Sequence, residues 1–308
     1  MIKLVVCLGV ALASTGAQAG IIDLGTIMGG ANVYTARDFK AGESDVEGAI
    51  VSGGNVTIQN YAVNLKNKDA YAGYSIVAGG DISLTSGSIH NGQVYAGGKL
   101  EVGYEKVPRT IVNPTDFAAA TAQFKDIAAG LSLVNATGQV EREYSANKVI
   151  GSGKGGVDIF NVTADFLLGG NNWVLNGLTA GQTLIFNISG EHGGFNGGMG
   201  PLGDYNVLFN FFEAKTVDVK GILGSVLAPG AKVVAGNGVI KGQVIADTWN
   251  SSVQVDAENY FKAVEVPGFE LVKDNPPVEP PAEVPEPGTL VLMMAGLLGA
   301  VAMRRRRS

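Results

Sequence analysis

Three copies of one short pattern constrain the fold of this chain more than any other feature of its sequence. Each copy has a β-rich segment, a Gly-Gly pair and a second segment in which apolar and polar residues alternate; the copies span positions 48–58, 74–84 and 92–102. The first copy is set further from the second than the second is from the third, the excess being an insertion around positions 60–72. The pattern predicts pairs of β-strands joined by glycine corners.

The spacing of the last two copies returns near the end of the chain. There, segment 224–228 is followed by segment 242–246, which nearly copies segment 92–96. A repeat of about 18 residues is the length of one turn of a β-solenoid, in which each turn lays its strands directly above those of the turn before. Glycine suits the sharp corners, often with positive φ. A β-sandwich with Gly-Gly hairpins is the alternative, but it gives no reason for constant spacing. We therefore predict a mainly β fold, a right-handed β-solenoid (β-helix).

One α-helix separates the two repeat regions. Residues 113–116, Asn-Pro-Thr-Asp, supply a stop and a helix cap. We predict an amphipathic helix that lies along the flank of the solenoid and covers one apolar side; a helix that binds a partner is the alternative. Its apolar residues recur at the spacing of one helical face: Phe117, Phe124, Ile127, Ala128 and Leu131.

After the helix the sequence returns to β-structure. Runs of β-branched and aromatic residues bounded by glycines are typical of strands. We predict strands at residues 139–150, 157–168, 173–178, 182–189 and 205–212, and a glycine-rich loop at 190–203.

The N-terminus predicts export. Lys3, the apolar run 4–13 and the small residues Ala17 and Ala19 have the order of a secretory signal peptide. The segment is not predicted to span a membrane, because its apolar core is too short. We predict cleavage after Ala19. Residues 1–19 would then form an N-terminal signal helix, and residues 20–270 are long enough for one large β domain.

The C-terminus carries three sorting features in succession, behind a Pro/Glu-rich spacer at residues 271–283. The apolar run is about 15 residues, or roughly 22 Å as a helix, which is marginal against a hydrocarbon core of about 30 Å. The arginines stay in the cytoplasm, so the rest of the chain lies outside. We predict a removable hydrophobic helix within a tail at 284–308; an uncut anchor is the alternative. The tail consists of the motif Val284, Pro285, Glu286 and Pro287, the apolar run 289–303, and the stop Arg304, Arg305, Arg306 and Arg307.

Removal of both ends makes the exported part acidic. Lys3, the four arginines and Glu286 leave, so 17 of the 22 basic residues remain against 27 of the 28 acidic ones, a charge near −10. That charge argues against nucleic acid and anionic lipid as partners. The only cysteine, Cys7, lies in the signal peptide, so the exported part has no disulfide and no thiolate chemistry.

No motif predicts catalysis, a cofactor or a metal. His90 and His192 lack partners at the spacing of a zinc site or a catalytic triad, and no EF-type calcium loop occurs. We predict that the protein is not an enzyme. The carboxylates that a polysaccharide-active enzyme would need are present, but no spacing selects a pair: Asp158, Asp165, Asp204 and Glu213.

One loop brings a carboxylate, an imidazole, an aromatic ring and flexible backbone together. A crossover without a ligand is the favoured interpretation, and a ligand-binding lip is the speculative one. The residues of this speculative ligand loop are Glu191, His192, Phe195 and Asn196.

The repeats also resemble a known family, the choice-of-anchor A domain, over about residues 22–265. The most specific part is Gly-Ser-Val-Leu-Ala-Pro at residues 224–229. The resemblance implies a domain of bacterial surface proteins that is predicted to be adhesive, an ice-binding-like β-solenoid with a flanking helix, and no catalytic residues. The segments that carry it are 48–58, 74–98, 206–211, 221–230 and 242–246.

Ice binding, the other function of similar folds, is not predicted. It needs a regular ladder of threonines, whereas Thr57, Ser83 and Glu101 occupy the equivalent positions of the three repeats. The tail is similar to the PEP-CTERM sorting signal of Gram-negative bacteria, which implies recognition and removal by an exosortase.

These features predict an exported, exosortase-sorted protein that is inserted in the inner membrane as a precursor and then reaches the cell surface or the extracellular matrix. Its role would be adhesive or associated with the extracellular polysaccharide of a biofilm, with polysaccharide or other surface proteins as partners. A polysaccharide-active enzyme on the same fold and a self-assembling structural surface protein are the alternatives.

Overall fold

The computed structural model describes residues 19–271, except 104–106, 197, 199 and 235. The signal helix, the C-terminal hydrophobic helix and the sorting residues 284–287 and 304–307 lie outside the described residues, as does Ala17; all of these stay predictions. Ala19 is described: it is the first residue of a strand and lies opposite Pro267 in an antiparallel pair. No helix in the described part of the chain is long and apolar enough to cross a membrane.

The described residues form a mainly β fold with few helices. Three α-helices occur, α1 (Leu24–Ile27), α2 (Phe117–Ser132) and α3 (Ala164–Leu168), with a 3-10 turn at Gly200–Asp204. The strands are β1 (Ala19–Ile22), β2 (Val33–Thr35), β3 (Phe39–Val46), β4 (Ile50–Ser52), β5 (Val56–Val63), β6 (Tyr74–Ala78), β7 (Ile82–Ile89), β8 (Gln93–Ala96), β9 (Leu100–Glu101), β10 (Arg109–Thr110), β11 (Gln139–Glu143), β12 (Ala146–Ile150), β13 (Val157–Thr163), β14 (Asn172–Asn176), β15 (Thr183–Ser189), β16 (His192–Gly194), β17 (Asn206–Asn210), β18 (Thr216–Asp218), β19 (Ile222–Leu223), β20 (Ser225–Val234), β21 (Val239–Lys241), β22 (Val244–Asn250), β23 (Gln254–Asp256) and β24 (Val264–Pro267).

The glycine repeats are successive turns of one curled parallel sheet of 19 strands. Ile76 lies opposite both Ile50 in the turn before it and Val94 in the turn after it. Val226 lies opposite Val244 in the same way, so the spacing of the sequence repeats is the length of one turn. The predicted stacking of repeats is confirmed, and the architecture is β-helix-like. The right-handed sense of the solenoid stays a prediction.

The order of the turns differs from a simple walk along the chain. Strand β2 lies between β4 and β22, because Val33 pairs with both Ile50 and Val244. The chain therefore starts in the middle of the stack, builds turns outward to β10, crosses through α2, and returns from β13 through β15, β17 and β20 to β22. The repeats predict serial stacking, and the structure instead joins the two repeat regions directly.

Asn32 fixes the junction between the first and last turns. Its buried side-chain amide donates to the carbonyl oxygens of Gly242 at 2.8 Å and Asp256 at 3.3 Å, and its oxygen accepts from the amide of Gly48 at 3.1 Å. One side chain thus satisfies backbone groups from both the N-terminal and the C-terminal repeat regions. A buried amide that is fully hydrogen-bonded specifies the register of such a contact.

The Gly-Gly corners need glycine for closeness rather than for positive φ. Gly53, Gly79 and Gly97 are stacked, and none has a left-handed φ. A Cβ on Gly79 would lie 2.3 Å from the carbonyl oxygen of Gly53, and one on Gly97 would lie 2.2 Å from that of Gly79. The expected role of positive φ at these corners is therefore wrong: only a hydrogen at Cα lets adjacent turns approach this closely.

A ladder of acidic and amide side chains follows the same corners. The Oδ1 atoms of Asp38, Asn55 and Asp81 each accept the backbone amide one turn further along, from Asn55, Asp81 and Lys99 respectively, at 2.7–2.8 Å. These bonds satisfy amides at the bend, where the sheet ladder alone does not reach them.

Helix α2 closes one side of the sheet, as predicted. Asp116 caps it by accepting the amide of Ala119 at 3.0 Å. At its start, the hydroxyl of Tyr34 donates to the carbonyl of Phe117 at 3.0 Å, and burial raises the pKa of Tyr34 to about 12. Near its end, the side-chain amides of Asn210 and Asn187 donate to the carbonyls of Ala128 and Leu131. The helix thus spans turns from both halves of the chain.

Three boundaries differ from the predicted ones. The predicted strand 139–150 is an antiparallel hairpin of β11 and β12 that turns at Tyr144, whose φ is +55°. The predicted strand 157–168 ends at Thr163, because its hydroxyl caps α3 by accepting the amide of Phe166. The predicted loop 190–203 contains strand β16 and a 3-10 turn.

Stacked rings fill the interior of the turns. Phe160, Phe186 and Phe209 lie in register on three consecutive strands, with ring centroids 4.9 and 5.1 Å apart. Phe39 stacks on Trp249 at 5.5 Å across the junction of the two repeat regions. Parallel in-register strands bring identical positions together, so aromatic side chains stack turn upon turn.

Asp158 is a buried structural carboxylate, although the sequence offers it as a catalytic candidate. It accepts from the hydroxyl of Thr137 at 2.8 Å, the amide of Ser152 at 2.9 Å and the side chain of Gln182 at 2.7 Å. Desolvation by burial raises its pKa, but these hydrogen bonds outweigh that effect and hold the pKa below its usual value.

The Asp158→Asn variant is expected to lose about 2 kcal/mol of unfolding free energy at pH 7, because an amide cannot accept all three donors. A lowered folded-state pKa stabilises above the unfolded pKa of about 4, and this contribution is lost as pH falls through the folded value. The difference in unfolding free energy between wild type and the Asp158→Asn variant should therefore become smaller below about pH 4. Urea unfolding at pH 7 and pH 3 measures it; a gap that stays constant would contradict the assigned role.

Candidate binding face

Outward-facing polar side chains line up across five consecutive strands on the side of the sheet formed by β22, β3, β5, β7 and β9. Asn250, Lys40, Thr57, Ser83 and Glu101 are direct neighbours in register. Gln59 and Thr85 form a second, shorter row beside them. We call these seven residues the polar face.

The strands present these residues outward because the residues between them point into the core. Along β5, Val56 and Ile58 are buried, whereas Thr57 and Gln59 are exposed. At about 4.8 Å between strands, the row from Asn250 to Glu101 is roughly 19 Å long.

The side chains of the polar face are free to bind. Within the described residues, Lys40, Thr57, Gln59, Ser83, Thr85 and Glu101 make no side-chain hydrogen bond or ion pair with the protein. Hydroxyls and amides both donate and accept. The face carries one lysine and one glutamate near opposite ends, so its centre is uncharged.

Two shallow depressions interrupt this surface. One, of about 450 Å³, is bordered by Lys40, Thr57, Gln59 and Asn250. The other, of about 390 Å³, is bordered by Ser83, Thr85 and Glu101. The sequence repeats predict equivalent positions for Thr57, Ser83 and Glu101, and the pairing confirms this. The row changes residue type at every turn and is not a threonine ladder.

The structure divides the speculative ligand loop. Phe195 is only 2% exposed and packs edge-on against Phe209 and Phe211, so its ring lies in the core, and the speculative ligand role of the loop stays a prediction. Asn196 is exposed. Glu191 pairs with Lys215, and the hydrogen bond and charge of Lys215 lower the pKa of Glu191.

Glu191 and His192 of that loop lie beside two of the carboxylates that the sequence suggests for an enzyme, Asp165 and Glu213. Asp165 and Glu213, together with Glu191 and His192, line a groove of about 350 Å³. Glu213 is held by the backbone amide of Gly190, and the His192 ring contacts the hydroxyl of Thr216 at 2.9 Å. Neither Asp158 nor Asp204 borders this groove. The signal that was missed is register, since β16 brings residue 192 beside residue 216.

Among the described residues, no group of three or more histidine, cysteine or acidic side chains is arranged to hold a metal ion. His90, the other histidine, contacts the hydroxyl of Ser88 at 2.6 Å.

The described residues thus form a stacked parallel sheet that is covered by helix α2 on one side and carries the polar face on another. Residues 25–257 match the family model described as an ice-binding-like adhesive domain, whose adhesive role is itself predicted. The chain belongs to that family. Residues 283–307 match the PEP-CTERM protein-sorting motif, which marks the chain for export by the exosortase pathway of Gram-negative bacteria to the cell surface. The finer family name, choice-of-anchor A, stays a prediction.

Comparison with solved structures gives a weak likeness. The chain is similar to the crystal structure of an ice-binding protein from the Antarctic ascomycete Antarctomyces psychrotrophicus, with 14% sequence identity, 81% of this chain and 99% of that chain covered, and a TM-score of 0.23. That score carries no argument about function. No curated protein matches the chain.

Proposed function

We propose that the protein is an exported surface or matrix protein that adheres to extracellular polysaccharide through its polar face, without catalysis. The observation that carries the proposal is the in-register row of unpaired polar side chains from Asn250 to Glu101. A polysaccharide presents repeated hydroxyls, and repeated hydrogen-bonding groups on a rigid sheet can engage several of them at once.

Export supports this role. The precursor would enter the membrane by its signal peptide and tail, with Arg304 to Arg307 on the cytoplasmic side. An exosortase would remove the tail at the motif Val284 to Pro287, which the matched sorting motif contains. The domain would then remain at the cell surface or enter the matrix, where polysaccharide is abundant.

The double variant Thr57→Leu/Gln59→Leu is expected to reduce binding of the full chain to immobilised cellulose by roughly tenfold. It removes two unpaired hydrogen-bonding groups from the middle of the face, each worth about 0.5–1.5 kcal/mol. Both side chains are exposed on β5, so the fold should tolerate leucine. Solid-phase binding at a series of protein concentrations measures the change.

The matched control is Gln139→Leu/Thr179→Leu, which alters two exposed polar residues outside the polar face and should bind as wild type does. Equal binding by the face variant and the control would refute adhesion through this face. The same incubations are assayed for new reducing ends. Their appearance would overturn the non-catalytic proposal and favour the polysaccharide-active alternative, in which Asp165 and Glu213 are the available carboxylates.

A further inference from the structure

The groove lined by Asp165, Glu191 and Glu213, which we call the acidic groove, is joined at Thr163 and Ser189 by a second groove, which we call the neutral groove. The neutral groove measures about 490 Å³, within the range of small-ligand sites, and no charged residue lines it. Phe166 and Phe212 give it apolar walls. Its polar groups come from Asn161 and Thr163 near the end of β13 and from Ser189 at the end of β15.

The walls of this neutral groove are held in place. The guanidinium of Arg142 lies 4.3 Å from the centre of the Phe166 ring and also donates to the carbonyl of Phe166 and to Asn147. Asn187, in the floor, is fixed by hydrogen bonds to Leu131 and Asn161. A site whose walls are fixed in advance loses little entropy when a ligand binds.

Several hydrogen-bonding groups in the groove stay open. Asn161 is exposed, and within the described residues only its oxygen has a partner, the amide of Asn187 at 3.2 Å. The hydroxyl oxygen of Thr163 accepts the amide of Phe166, which leaves its proton available. Ring faces beside amides and hydroxyls suit a sugar, which has apolar C–H faces and a polar rim.

The neutral groove continues into the acidic groove, because Thr163 and Ser189 line both. The acidic part holds three carboxylates, Asp165, Glu191 and Glu213, against one paired lysine, Lys215. A ligand that follows the whole groove therefore passes from aromatic surroundings, where the guanidinium of Arg142 packs on Phe166, to surroundings that attract a cation.

We propose that this continuous groove binds a segment of a polysaccharide that carries protonated amino groups, a glucosamine polymer being the simplest example. A sugar ring would pack between Phe166 and Phe212, and an ammonium group would sit near Asp165 and Glu213. A uronic acid polymer is disfavoured by the same carboxylates. The inference rests on the proposed function only in that the protein meets polysaccharide outside the cell; the site is separate from the polar face.

Calorimetric titration of the full chain with a glucosamine hexamer, an N-acetylglucosamine hexamer and a galacturonate hexamer tests the proposal. The glucosamine hexamer should bind most tightly, and its affinity should fall as salt is raised. Asp165→Asn/Glu213→Gln should weaken that binding about tenfold at low salt and leave binding of the acetylated hexamer unchanged. Phe212→Leu should weaken both.

The control Glu265→Gln/Glu270→Gln removes the same charge from exposed positions outside the groove and should bind as wild type does. No binding of the glucosamine hexamer, or equal loss in the groove variant and this control, would overturn the proposal. The variant Thr57→Leu/Gln59→Leu should bind the hexamer normally, so failure of the groove and failure of the polar face are seen separately.

Discussion

The Gly79→Ala variant is expected to lose about 3 kcal/mol of unfolding free energy, because the added methyl group overpacks a rigid corner. Its Cβ would lie 2.3 Å from the carbonyl oxygen of Gly53, well inside contact distance. The obstructing atom belongs to the backbone of the neighbouring turn, so no side-chain rotation relieves the clash. Gly97 stacks on Gly79 in the same way, and a shift of one corner therefore disturbs the next.

Chemical denaturation monitored by tryptophan fluorescence measures this loss, since Trp249 is buried in the turn beside the junction. The matched control is Gly230→Ala. Gly230 lies in β20 and likewise has no positive φ, but its added Cβ would only reach the carbonyl of Ala214 at an ordinary 3.6 Å. The control should stay within about 0.5 kcal/mol of wild type. Similar losses in both variants would mean that close stacking is not what selects glycine.

The periodicity in the sequence is sufficient to predict the turns but not their order. A constant spacing identifies segments that are equivalent, and equivalent segments of a parallel sheet stack in register. It does not say which turn neighbours which. That choice depends on β2 pairing with β22, a contact between Val33 and Val244 that is held by the amide of Asn32. No local pattern encodes so distant a contact.

The candidate sites, too, are predictable from the sequence only where they depend on the local repeats and not on distant contacts. The polar face was visible in part, because Thr57, Ser83 and Glu101 are equivalent in the repeats. Lys40 joins that row through the pairing of β3 with β5, in a turn that lacks the Gly-Gly pattern, and Asn250 joins it only through the junction of the two repeat regions. The composition of the glycine-rich segment 190–203 predicts a flexible loop, whereas Phe195 within it packs in the core against Phe209 and Phe211. Burial of a single aromatic depends on tertiary packing and cannot be read from neighbouring residues.

The crossing helix explains how two separate runs of repeats become one stack. Helix α2 leaves the end of the N-terminal turns and lies over strands of the C-terminal ones, so its docking bridges both halves. Its start is tied to Tyr34 on β2, and its end is tied to a ladder of three asparagines in register, Asn161, Asn187 and Asn210. Two members of the ladder, Asn161 and Asn187, also line the neutral groove.

The Asn187→Leu variant should therefore lose about 3 kcal/mol of unfolding free energy. Its side chain makes three hydrogen bonds, to the carbonyl of Leu131 at 2.7 Å, to Asn161 at 3.2 Å and from Asn210 at 3.0 Å, each worth about 1 kcal/mol. Leucine has a similar volume, so the loss reports on polar contacts rather than on a cavity.

Asn161→Leu is the control within the same ladder, because Asn161 is exposed and, among the residues that the structure describes, its side chain shares only the bond to Asn187. It should cost about 1 kcal/mol or less. Hydrogen exchange locates the effect: amides of α2 should lose protection in Asn187→Leu to a greater extent than those of β5, because the ladder holds the helix end and not the distant turns. Uniform loss of protection in both regions, or equal destabilisation by the two variants, would show that the asparagine ladder does not dock the helix.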